Sequence, residues 1–111
     1  MNLKRINQVK NALLNFKSET GTPIYHYFNS NPKGDYVTWS EDMYGEILGG
    51  DGGLKGISIQ GTIDYFTKRE NNGADMLENA IVAAGIPIIG MMVLYEDDTG
   101  YIHYTWTWEV V

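Results

Sequence analysis

The chain has 111 residues, 43% of them hydrophobic, no cysteine, and a formal net charge of −6. That length supports one domain with a single modest core, and the lack of cysteine removes disulfides, zinc–thiolate sites and thiol nucleophiles together. Lys4, Arg5, Lys10 and Lys17 stand in the first seventeen residues without an acid, while all fourteen acids fall in the remainder against four bases, a balance that disfavours holding nucleic acid phosphates.

No apolar run approaches the roughly 20 residues of a membrane-spanning helix. The start, MNLKRINQVKN, has basic residues but no continuous apolar stretch, so no signal peptide is expected. Synthesis in the cytosol, without a membrane partner, is the matching expectation.

Residues 3–16 read as an amphipathic helix, because Leu3, Ile6, Val9, Leu13 and Phe16 recur at helical spacing. Gly21 and Pro23 end it. IYHYFN (24–29) is aromatic-rich and reads as a strand. NSNPKG (29–34) supplies a turn, and DYVTWSE (35–41) alternates as a second strand, so the two are expected to form a hairpin.

DMYGEILGGDGGLKG (42–56) reads as a long glycine-rich loop, mobile in a free subunit and ordered by a partner. GISIQGTIDYFTK (56–68) alternates as a strand with Ile57, Ile59, Ile63 and Tyr65 on its buried face. A second helix is expected over 74–84, with Asn72 as its N-cap and a stripe of Ala74, Leu77, Ala80, Ile81 and Ala84. Gly85 and Pro87 stop it. IIGMMVLYE (88–96), the turn EDDTG and YIHYTWTWEVV (101–111) form a closing hairpin.

The expected fold is therefore one α+β domain over residues 1–111, in the order α-β-β-β-α-β-β. Its two helices pack on one face of a mostly antiparallel sheet. In the last strand Ile102, Tyr104, Trp106, Trp108 and Val110 share one face. Trp106 and Trp108 are thus expected in the core beneath the helices. The opposite face, with His103, Thr105 and Thr107, is a hydrogen-bonding surface. A base-stacking platform needs positive charge beside exposed rings, and the nearby charges are Glu96, Asp97, Asp98 and Glu109.

Catalytic signals are weak. His26 and His103 both fall on strands, and a metal or general-base site would need them adjacent with a carboxylate beside them. LGGDGGLKG lacks the Gly-Lys-Ser/Thr ending of a phosphate loop and precedes a strand rather than a helix. Glu96-Asp97-Asp98 lacks the D-x-D-x-D-G spacing of a calcium loop. No catalytic residue, metal or cofactor is expected.

The element order, the size, and the stretches GISIQGTIDYFTKRENNGADMLENAI and VLYEDDTGYIHYTWTWEV resemble the tail terminator proteins of long-tailed phages. These are also called tail completion or tail-to-head joining proteins, here of the Gram-positive phage or prophage type. The resemblance implies a tail-terminator-like α+β subunit with no enzyme activity. Six copies would form a ring at the head-proximal end of the tail, touching the tail tube protein and the head–tail connector protein. DNA would pass through the hole without specific binding, and an acidic ring suits that passage because like charges repel.

A closed ring needs two different patches on each subunit. Lys4, Arg5 and Lys10 on the first helix are the candidates for one. Glu41, Asp42, Glu46 and Asp51, with Gly49, Gly50, Gly52 and Gly53 of the loop, are the candidates for the other or for the hole. Two further readings stay open. One is a head completion or minor capsid protein of the same particle. The other is a small enzyme or ligand-binding domain, which requires a deep pocket with His26 or His103 beside a carboxylate.

Overall fold

The computed structural model describes residues 3–48 and 54–111. Helix α1 spans Leu3–Thr20 and α2 spans Gly73–Ala83; the strands are β1 (Ile24–His26), β2 (Tyr36–Leu48), β3 (Leu54–Thr67), β4 (Ile88–Tyr95) and β5 (Ile102–Val110). They form one sheet in the order β1-β2-β3-β5-β4. Every pairing is antiparallel except that of β1 with β2. Apolar side chains of both helices join one core cluster with one face of the sheet. The fold is α+β, with the element order expected from the sequence.

Helix α1 buries Val9, Ala12, Leu13 and Phe16 and closes where Gly21 N donates to Lys17 O at 2.8 Å. Helix α2 buries Ala74, Leu77 and Ile81, and its small residues let it lie close to α1, where Gln8 Nε2 donates to Ala84 O. Its C-terminus is a Schellman closure. Gly85 N donates to Val82 O at 3.0 Å and Ile86 N to Ile81 O at 3.3 Å. This closure needs a left-handed residue, which Gly85 supplies at φ 75.

The start of α2 departs from expectation. Asn72 makes no side-chain cap bond. Asn71 takes that role, its Oδ1 accepting from Gly73 N at 2.8 Å, because its amide is anchored by Asp35 Oδ2 and Thr67 Oγ1.

Two other expectations are corrected. Residues 24–29 and 35–41 do not form a hairpin: β1 runs parallel to β2, with Ile24 opposite Val37 and His26 opposite Trp39. A parallel pair ordinarily needs a long crossover. Here the chain must travel back only about 10 Å, the length of three strand residues, so residues 27–35 suffice. The return begins at Tyr27, whose φ of 74 is left-handed.

Residues 42–56 are not one long loop. β2 continues to Leu48 and β3 begins at Leu54, so two long arms replace it. A bulge between Glu41 and Met43 leaves Asp42 unpaired and shifts the alternation by one, which hides the strand in the sequence pattern. The expected ordering of Gly49, Gly50, Asp51, Gly52 and Gly53 falls outside the described residues.

The core rungs follow from the register. Trp39, Ile63 and Trp106 lie side by side, as do Val37, Tyr65 and Tyr104. Trp106 and Trp108 are buried as expected, at 1% and 0% exposure, and Trp106 Nε1 donates to Glu78 Oε1 of α2 at 3.0 Å. Gly61 makes room for Trp108: a methyl at this position would collide with that indole and with Ser40 O. Gly61→Ala should therefore lower the unfolding free energy by about 1–3 kcal/mol or more, and Trp106→Ala by about 3–5 kcal/mol, both read from urea transitions. A Gly61→Ala chain as stable as its parent would refute this packing.

Candidate functional site

Among the described residues, the sheet face away from the helices has no layer over it and builds its own cover. Tyr36, Phe66 and His103 are direct cross-strand neighbours. Their rings stack at 4.5 Å and 4.1 Å between centroids. Tyr101 meets Tyr36 and Phe66 edge-on, donates its hydroxyl to Gly34 O, and carries Lys68 Nζ 4.8 Å above its ring.

The next rung holds Asp64 opposite Thr105. Asp64 Oδ1 contacts His103 Nε2 at 2.7 Å and accepts from Thr105 Oγ1 at 2.8 Å. Glu96 Oε2 lies 3.2 Å from His103 Nδ1, so each imidazole nitrogen faces a carboxylate. The hydrogen bond to Asp64 raises the His103 pKa above its ordinary 6.5; burial opposes the shift, and the Asp64 and Glu96 charges add to it.

His26 occupies a different place. Its ring stacks on Trp39 at 4.2 Å and on Tyr27 at 4.1 Å, and its Nε2 lies 2.7 Å from Glu41 Oε2. Burial pushes the Glu41 carboxyl up, but the hydrogen bond with His26, a backbone hydrogen bond, the His26 charge and the Tyr27 hydroxyl together outweigh it and leave the pKa below its ordinary 4.5. Beside it runs a groove of about 200 Å³ between α1 and β1, lined by Lys10, Leu13, Leu14, Lys17, Ile24, His26 and Trp39. The two histidines therefore lie on opposite faces of the sheet and share no site. Each has a carboxylate, as a catalytic reading requires. Among the described residues no group of three or more His, Asp and Glu is placed to hold a metal ion.

The candidate interface residues fall as follows. Arg5 is half-buried on α1, and its Nε is buried without a hydrogen-bond partner among the described residues. Lys10 is exposed at the rim of the groove. Glu41 is bound to His26, a lining residue of that same groove, so Lys10 and Glu41 converge on one part of one subunit. Asp42 accepts from Ser40 Oγ. Lys4 lies in α1 and Glu46 in β2 opposite Ile57. Gly49, Gly50, Asp51, Gly52 and Gly53 lie outside the described residues.

The strongest surface feature was not singled out in the sequence. β4, an edge strand, is apolar on both faces: Ile89, Met91, Met92, Val93, Leu94 and Tyr95 are 48–64% exposed. Its signal was present as IIGMMVLY, a run with neither charge nor alternation. Such a run reads as buried strand, and burial within this subunit does not occur. Tyr25, Tyr27 and Phe28, at and just beyond the other edge, are exposed as well.

No family model matches the sequence, and no curated protein matches it. No described helix is long and apolar enough to cross a membrane.

The His103 cluster has a pH signature. A folded-state pKa above the unfolded value contributes stability that is complete below the unfolded pKa and is lost as pH rises through the folded one. The stability difference between the parent and His103→Gln should thus be larger at pH 5 than at pH 9. Urea midpoints measured across that range test it, and a difference independent of pH would show that His103 does not carry its charge in the folded chain.

Proposed function

We infer that this chain is a structural virion protein of a long-tailed phage. It forms a ring at the head-proximal end of the tail tube, terminates the tail and joins it to the head connector, with DNA passing through. Two things support the reading beyond the resemblance of residues 56–81 and 93–110. A five-stranded sheet with both edges uncovered by any other described strand or helix, one of them an apolar strand of eight residues, suits a subunit that neighbours cover. The formal charge of −6 suits a hole through which DNA slides without sticking. The uncovered β4 edge is the observation that carries most.

A head completion or minor capsid protein would use the same surfaces. The enzyme reading draws on the His26–Glu41 pair, but the adjoining groove of about 200 Å³ is smaller than the usual small-molecule site of roughly 300 Å³ and upward. Two larger depressions among the described residues, one beside the end of α1 and one between α1 and α2, contain no histidine.

Deleting the gene from a phage that encodes this chain should give particles whose tails overgrow or remain separate from filled heads, seen by negative-stain electron microscopy. Normal-length tails joined to filled heads in that deletion would overturn the proposal. Empty or leaking heads beside normal free tails would favour the head completion role.

A further inference from the structure

We propose that the two open edges of the sheet are made for each other: β4 of one copy of this chain adds, antiparallel, to β1 of the next. The inference deepens the ring reading by naming the surfaces of contact, but it stands on the sheet edges themselves.

Direction and level both fit. β1 is parallel to β2, and β4 is antiparallel to β5, which in turn follows the direction of β2 through β3. Setting two copies side by side in the same orientation therefore brings β4 against β1 as an antiparallel pair. Tracing the rungs across gives the register. Ile24 is level with Val37, Tyr65, Tyr104 and finally Val93. Tyr25 is level with Thr38, Asp64, Thr105 and Met92, and His26 with Trp39, Ile63, Trp106 and Met91. The short strand β1 thus stands opposite the middle of β4.

Chemistry fits as well. Met91, Met92 and Val93 are each about half exposed, and Tyr25 is 37% exposed. Thioether sulfur and aromatic rings make favourable contacts. An edge strand is normally blunted by Lys, Pro or a short length, but β4 has eight residues and none of these devices in it. Charges of opposite sign stand at the rims. Lys10 and Lys17 flank the groove beside β1, and Glu96, Asp97 and Asp98 follow β4 directly. A partner of different sequence would have to match the neutral strip, the level and the rim charges together. A second copy supplies all three. The contact is heterologous, so it closes into a ring or grows as a filament.

Because the chain has no cysteine, a paired substitution reads the contact directly. Directly opposed antiparallel residues have Cα atoms about 4.5–5.5 Å apart, within reach of a disulfide. Tyr25→Cys together with Met92→Cys should give a ladder of covalent multimers under mild oxidation. Each single variant should stay uncrosslinked, since like positions lie far apart in a head-to-tail contact. Sedimentation of the cysteine-free chain with Val93→Lys, an exposed position, with circular dichroism as the check that the fold is kept, should show a dissociation constant raised at least about tenfold. Dimers from Met92→Cys alone would reveal a two-fold β4–β4 contact and overturn the proposal. So would free thiols in a double variant that sediments as an oligomer, or a parent chain that sediments as a monomer at every concentration. None of these outcomes touches the deletion phenotype, which decides the tail role separately.

Discussion

The indole of Trp108 lies where a side chain at position 61 would stand, and the layering of the molecule depends on that contact. With Gly61 bare, two tryptophans from one strand lie flat enough on β3 for both helices to reach the sheet. Trp106 then bonds α2 through Glu78, while Val9, Leu13 and Phe16 of α1 join the same cluster. Tight packing of this kind leaves no slack. It also uses both helices on one face, and neither is left to cover an edge.

What holds the other face is different in kind. With no second layer, the sheet shelters itself by placing rings in register across three strands and by tying polar rungs with side-chain hydrogen bonds. Tyr36 and Thr38 are each 8% exposed, and the rings of Tyr25, Phe66 and Tyr101 pack against Tyr36. His103 links the two devices, stacked on Phe66 and bound to Asp64. The acidic surroundings that disfavour nucleic acid binding are the same groups that raise the pKa of this imidazole.

The parts of the fold legible in the sequence were those where one residue pattern serves one environment. The apolar repeat of α1, the alanine stripe of α2 and the alternation of β3 and β5 each face a single core, so periodicity located them. The bulge at Asp42 was not legible, because an unpaired residue breaks the period that reveals strands. Nor was the parallel course of β1, which is fixed by backbone bonds from Val37 N to Pro23 O and from Tyr27 N to Trp39 O rather than by any side-chain pattern. The candidate charges on α1 were visible. That Lys10 and Glu41 would come to the same part of the subunit was not, since it depends on His26, on a three-residue strand, lining the groove with Lys10 while bonding Glu41.

β4 shows the limit most plainly. A run of apolar residues records that a strand prefers to be away from water, but it does not record whose atoms exclude the water. Here the subunit itself leaves the strand half exposed on both faces. The two edges are also unequal, eight residues against three, so pairing like with like across a two-fold axis would satisfy β4 and leave Tyr25 and Phe28 in solvent. Pairing unlike edges covers both in every copy. For an acidic chain, whose copies repel one another at a distance, attraction has to come from short-range apolar contact, and the sheet offers that contact along its two ends.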